Sequence, residues 1–435
     1  MSQAWKDLPS PPALPVLGHW LEFRKDILGF LIRVRAQGPV ASFHVGPVHC
    51  VLLSQPDIVH RALTDKAASF EREDALKTVA RHLLGQGMIT SEGQEHTRQR
   101  VMGRPAMLPA RMPGYLPAMD SVALDLVGRW QGLKSLDLCE GMAEYGLRVA
   151  SLALFGQDLG ADSAPFYQAV ERCLDALQPV PSFPPQGWML EASPSFRADR
   201  RLIEATMEAL LEGRRGKGDG SLLSDMVLAA ETQGQSRERS REIALSVILA
   251  GSETTAMALA WTLYLLARHP QAQSQAREDE GGAFLRCVIL ESLRLYPPIW
   301  MLGRKAVEDV DLGGLELKRG ELLYMSQFLI HRDERFFPDP TGFHPERWSP
   351  EFKAGLPPGS WLPFGAGPRA CFGDAFAMQE LMAAMAHFLR HFQWEWPSGP
   401  DPQFKPFITL RPSGGLVLQL SGIRPAHHPG GQHGS

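Results

Sequence analysis

Phe364-Gly365-Ala366-Gly367-Pro368-Arg369-Ala370-Cys371-Phe372-Gly373 sets one cysteine in a glycine-rich loop, just ahead of an apolar stretch that reads as a helix, 374 to 392. That arrangement suits a thiolate ligand to haem iron, which has to be held rigidly and kept from protonation and oxidation. Gly367 and Gly373 let the backbone turn tightly around the sulfur and bring N–H groups close to it. The N-terminal end of the following helix favours negative charge on Cys371. Phe364 is placed to shield the sulfur from water, and Arg369 to reach a haem propionate. The competing reading is a buried structural cysteine in a Gly/Pro-rich loop. The joint occurrence of Phe364, Gly367, Arg369, Cys371 and Gly373 weighs against it.

The loop resembles the cysteine-ligand signature of the cytochrome P450 family, and the resemblance continues through separate motifs from about Leu8 to Leu420. It implies a mainly α fold with small β-sheets, and haem b with an axial cysteine thiolate. Residues 1–423 would form a single domain. The Gly-, Pro- and His-containing tail, 424–435, is expected to be disordered.

Working back along the chain, the run from Ile243 to Ala267 carries Glu253 as its only charge. Hydropathy alone admits a membrane span there. The central Ser252-Glu253-Thr254-Thr255 cluster is costly in lipid and fits a helix buried through a large protein better. Ala250 and Thr254 share a helix face at i and i+4. Small side chains at Ala250 and Gly251 leave room for a diatomic ligand beside iron. Gly251 and the Thr254 hydroxyl together favour a kink or bulge. An acid beside a hydroxyl is what proton delivery to dioxygen needs, although a satisfied polar notch in a core would read the same in isolation. The pair resembles the family's acid–alcohol pair, Glu253 as acid and Thr254 as alcohol. Its presence implies the oxygen-activating route over peroxide-using or rearranging relatives, which typically lack it.

Glu291 and Arg294 stand at i and i+3 in a predicted helix that Tyr296-Pro297-Pro298 ends. They resemble the family's Glu-x-x-Arg motif, and Phe343 to Trp348 resembles the segment that supplies its partner, Arg347. The resemblance implies a buried polar lock serving folding and haem retention. It also makes His96, Arg100, Arg304 and Arg369 candidates for the propionates, each of which taken alone would more often be a solvated charge. Candidate substrate-wall residues are Val79 and Leu83, in a loop before the His96 helix, with Ala250, Ile299, Trp300, Met301 and Ile408. The alternative for each is plain core. Their apolar character points to a fatty acid, terpenoid, steroid or carotenoid-like substrate.

The chain has 435 residues, is 44% hydrophobic and carries a formal net charge of −4. Such a composition supports a large core and argues against nucleic acid as a partner. Cys50, Cys139, Cys173, Cys287 and Cys371 are widely spaced without a CxxC, a pattern of a reducing compartment without disulfides or zinc. The proline-rich lead-in from Leu8 to Pro15 is extended and has no signal-peptide core. The expected protein is therefore cytoplasmic, without a membrane anchor, and monomeric.

Strands are predicted at 40–45, 48–54, 301–306, 321–326 and 415–420. Helices are predicted at 56–65, 96–130, 140–156, 163–178, 195–214, 239–268, 281–295 and 374–392, with loops at 179–194 and 216–220. The stretch after Cys371 is too short for a fused flavin or iron–sulfur domain, so electrons are expected from another protein or from a peroxide. Pro270 to Glu291 is short, as in bacterial members served by small carriers. Glu291 to Arg304 and Trp361 to Ala377 look like the group containing eukaryotic and self-sufficient enzymes. The redox partner is accordingly a ferredoxin or a flavodoxin-type reductase. The expected activity is insertion of one oxygen atom from O2 into an apolar substrate. The alternatives are a peroxygenase or isomerase on the same fold, and a haem–thiolate sensor without turnover.

Overall fold

The computed structural model describes residues 3–4, 7–160, 163–176, 190, 192–212, 232, 234, 236–397 and 399–423. The loop at 216–220 and the tail 424–435 lie outside the described residues, as does most of the loop at 179–194.

The helix Arg237–Arg268 is the axis of the molecule. Ser236 caps it by accepting from Arg239 N–H at 3.2 Å, and from Thr255 to Ala267 every residue is buried. A helix apolar all round must be enclosed on all sides. It meets the length and hydropathy of a membrane span, yet 83% of its most apolar 18 residues are buried inside the protein. Helices Leu138–Phe155, Ala283–Leu295 and Asp374–His391 pack around it. Gly146 lets the first of these approach closely, because a Cβ there would stand 2.7 Å from the Ser252 carbonyl oxygen.

The predicted hairpin forms as Val40–Val45 and Val48–Leu53, turning at Gly46 with φ +57°. Val48–Leu53 runs parallel to Leu322–Met325, and Leu302–Ala306 lies antiparallel on that strand with Arg304 opposite Leu323. Phe70–Glu71 closes this five-stranded sheet. Near the C-terminus the short hairpin Phe404–Pro406 and Leu410–Pro412 pairs Lys405 with Arg411.

Two expectations need correction. The pattern at 96–130 is not one helix: it divides into Gly93–Gly103, 3-10 turns at Arg104–Met107 and Pro109–Tyr115, and Leu116–Trp130. Pro105, Pro109 and Pro113 lack the N–H an α-helix needs, and their rings clash with the preceding turn. The loop expected around Val79 and Leu83 is instead the helix Asp74–Leu84. The central helix, expected to kink or bulge near Gly251 and Thr254, is α-helical throughout, and the Thr254 hydroxyl donates to the Ala250 carbonyl at 2.7 Å.

Candidate active site

The cysteine loop is closed by its own backbone. Cys371 N–H donates to Phe364 O at 2.7 Å, Ala370 N–H to Gly367 O at 3.0 Å, and Gly365 N–H to Leu362 O at 3.1 Å. Gly365 and Gly367 hold φ near +70° and +69°, a region open mainly to glycine. A Cβ on Gly367 would lie 1.8 Å from Leu63 O, at the end of helix Pro56–Leu63. We expect Gly367→Ala to lower the melting temperature and the haem content together, since it adds a clash to a strained φ. Equal haem content in the variant, measured by pyridine haemochrome, would contradict this. Gly373 differs from the expectation: its φ is −111°, and a Cβ there meets nothing nearer than Met107 Sδ at 4.0 Å. Its contribution is its N–H, directed at the sulfur.

Cys371 has accessible surface, yet protein mass surrounds its other sides. Burial therefore pushes its thiol up, Gly373 N–H and Arg100 pull it down, and Asp374 in the first helical turn opposes them. The net direction for the free thiol is upward. A bound metal cation would reverse this, because coordination deprotonates a thiol. Phe364 is half-buried and packs against the main core, beside the sulfur's loop.

A second feature lies near the loop. Arg72, Arg100, Arg304 and Arg369 converge on His96, and burial followed by these charges pushes the His96 imidazole down to about 3. Burial, then Arg369, lowers Arg304 to about 10, and burial, then Arg369 and Arg304, lowers Arg72 to about 9. Glu92 and Glu73 are the acids acting against this repulsion. Arg369 pairs with Glu92, and its Nη2 donates to Ser91 O at 3.0 Å. Arg369 Nη1 and Arg72 Nε are buried with no acceptor. Unpaired buried donors on cations are costly, so this niche fits a ligand bearing carboxylates, as haem does through its propionates. Arg304 Nη1 bonds Gly303 O at 2.9 Å. Arg100, also among the cations around His96, reaches the loop as well: Nη1 donates to Ala370 O at 2.9 Å and the guanidinium lies 5.5 Å from the Phe372 ring.

On the central helix Ala250 is exposed, and a Cβ at Gly251 would meet nothing within 4 Å. That face is open, as expected from its small residues. Glu253 points elsewhere. Its Oε1 accepts from Thr409 Oγ1 and Arg411 Nε, both at 2.8 Å, and its Oε2 is buried without a partner. Successive helix residues diverge by roughly 100°, so Glu253 and Thr254 do not touch directly. A relay between them has to pass through water or a rotation of the carboxylate.

The expected polar lock forms. Glu291 Oε1 and Oε2 accept from Arg294 Nη2 at 2.8 Å and Nε at 2.9 Å, and Oε1 also accepts from Arg347 Nε at 3.1 Å. Trp348 Nε1 and His344 N–H complete the set at 2.9 and 3.0 Å.

The sequence profile described as Cytochrome P450 matches residues 8–419. This chain belongs to the cytochrome P450 family. It is 31% identical to "Cyclooctatin synthase" of Streptomyces melanosporofaciens over 98% of this chain and 96% of that one. It is likewise 31% identical to "Cyclooctat-9-en-7-ol 5-monooxygenase" of the same organism over 88% of each. "Pentalenene oxygenase" of Streptomyces avermitilis is 27% identical over 91% of this chain and 93% of its own. Among solved structures, the haem domain of cytochrome P450DA superposes with a TM-score of 0.84 at 27% identity, covering 98% of this chain and 99% of that one. The protein is a P450 monooxygenase, an oxidoreductase, and its family and fold imply haem with cysteine thiolate ligation.

Within this P450 the candidate substrate residues divide. Trp300 is 2% exposed and its Nε1 donates to Phe407 O at 2.7 Å, which makes it core and not wall. Leu83 is also core. The side chain of Val79 lies outside the described part of the structure. Ile299, Met301 and Ile408 are half-buried, Ile408 beside the hairpin that carries Arg411. Arg72, Thr409 and Arg411 escaped sequence reasoning. Arg72 has a local signal, a cation one residue from the edge strand Phe70–Glu71, whereas nothing near Arg411 in sequence points to Glu253.

Proposed function

We propose that this P450 inserts one atom of O2 into a C–H or C=C bond of an apolar, terpenoid-class substrate, with electrons from a separate ferredoxin or flavodoxin-type reductase. The observation that carries the reading is the open face at Ala250 and Gly251, one helical turn from the Thr254 hydroxyl and next to the buried acid Glu253. Terpene monooxygenases among the relatives support the substrate class, as do the apolar side chains of Ile299, Met301 and Ile408. In this reading residues 1–423 act as one domain in the cytoplasm, which suits free cysteines.

Haem, when bound, would supply the redox-active iron that activates O2. Cys371 would hold that iron through its sulfur, its loop kept in place by the Phe364 carbonyl and the Gly373 N–H. Arg72, Arg304 and Arg369, with His96 and Arg100 beside them, would hold the carboxylates of the group, which would relieve the repulsion around His96. Thr254 offers its hydroxyl proton on the open face while accepting one from the Glu253 side. The hydroxyl's bond to the Ala250 carbonyl keeps it in place until it does so.

Thr254→Ala should cut product per oxygen consumed by about tenfold and raise peroxide release to match, measured with an oxygen electrode and a peroxide assay. Unchanged coupling would favour the peroxygenase or isomerase alternative, which has no use for the hydroxyl.

A further inference from the structure

Glu92 stands at the N-terminal end of helix Gly93–Gly103, where a side-chain oxygen ordinarily accepts from the first free N–H groups of the helix. It makes no such bond. Its carboxylate instead joins two other segments. Oε1 accepts from the Arg72 N–H at 3.0 Å, just past the edge strand Phe70–Glu71, and Oε2 pairs with Arg369, two positions before Cys371. The neighbouring Ser91 carbonyl accepts from Arg369 Nη2 at 3.0 Å. Arg369 Nη2 is thereby occupied by the Ser91–Glu92 segment, while Nη1 is left buried without an acceptor. The side chain of Glu92 is 21% exposed and that of Arg369 12%, so solvent and salt screen the pair only in part.

The charges around Glu92 do not balance within the protein. Arg72, Arg100, Arg304 and Arg369 all act on His96, and the acids acting on Arg72 and Arg304 are Glu92 and Glu73. Glu73 is buried against Gly303, whose carbonyl accepts from Arg304 Nη1. Glu71 and Asp74, on either side of this segment, are engaged by Lys77 and Lys305. The surrounding cations keep the His96 imidazole neutral near pH 7. Four guanidiniums against two carboxylates leave two positive charges, which the two ionised carboxylates of haem would match.

We propose that Glu92 is a positioning residue that fixes Arg369 and sets the charge balance of this niche, and so holds down the reduction potential of the iron. The proposal rests on the reading that haem occupies the niche through its carboxylates. One electron from the reductase converts ferric iron to ferrous. No bond forms or breaks and no proton is transferred, and the bound group gains one negative charge. A fixed carboxylate nearby opposes that gain. Glu92 therefore favours the ferric state, and its neutralisation leaves an uncompensated cation that favours the ferrous one. A merely structural Glu92 would tie the strand end to the cysteine loop and leave the potential where it is.

The test is a spectroelectrochemical titration of the haem-loaded full chain as wild type, Glu92→Gln and Glu92→Asp, without substrate or redox partner. Glu92→Gln keeps the size of the side chain and an oxygen for the Arg72 N–H but drops the charge, whereas Glu92→Asp keeps the charge. Glu92→Gln should move the ferric–ferrous equilibrium about fivefold towards ferrous, roughly 40 mV upward for one electron. Glu92→Asp should stay within about twofold of wild type. The titration reports only molecules that carry haem, so partial loading of a variant does not blur it. A potential in Glu92→Gln at or below that of wild type, or equal shifts in both variants, would overturn the assignment. A wild type that takes up no haem when haem is supplied would instead overturn the reading of the niche beneath it.

Discussion

Cys371→Ser is expected to abolish the strongly red-shifted Soret band of the reduced, carbon-monoxide-treated protein and, with it, oxygen insertion. The variant changes one atom in a loop whose shape comes from backbone bonds. Cys371 N–H to Phe364 O and the positive φ of Gly365 and Gly367 are untouched by it. The arginine niche around His96 is also untouched, so haem can still be retained through its carboxylates. What is lost is a polarisable sulfur that becomes a thiolate on coordination; a serine hydroxyl resists deprotonation far more strongly. The spectrum thus separates loss of the ligand from loss of the fold. Retention of the shifted band in the variant would disprove the ligand assignment and send the search to another thiol.

The second large effect is on stability. In Glu291→Ala, Arg294 keeps its bonds to the His331, Pro340 and Gly342 carbonyls but loses its countercharge at 0% side-chain exposure. Arg347 Nε and Trp348 Nε1 lose their acceptor as well. Breaking a buried pair by removing one partner costs about 3–5 kcal/mol, a large share of the roughly 5–15 kcal/mol that holds a typical protein folded. We expect the melting temperature to fall by roughly 3–5 °C, or the variant to be recovered only as aggregate. The double variant Glu291→Ala/Arg294→Leu should lose less than the two single variants together, because the fully buried Arg294 guanidinium goes with its countercharge and only Arg347 is left without its acid. A single variant as stable as wild type would show that the lock is dispensable.

Much of the site is legible in the chain because the governing spacings are short. Glu291 and Arg294 are one helical turn apart, so their contact is local geometry, and Ala250 and Thr254 are joined by a bond within one turn. The prolines that split 96–130 are equally visible, but the helical periodicity of the flanking residues masks them. The error at Trp300 has another cause. An apolar residue after a double proline reads alike as pocket wall or core, and only its bond to the Phe407 carbonyl, in a distant segment, distinguishes them.

The cysteine loop, the central helix with its acid and hydroxyl, and the Glu291–Arg294 half of the polar lock follow from the order of residues, since each rests on groups within a turn or a loop of one another; the family and Arg347, 56 positions from Glu291, were legible only through motifs spread along the chain. Where the Glu253 carboxylate points, and what surrounds the propionate candidates, came only with folding in three dimensions. Arg411 lies 158 positions from Glu253, and Arg72, Arg304 and Arg369 come together from separate strands and loops. Electrostatic partnership depends on distance in space, and no local pattern in the chain encodes it.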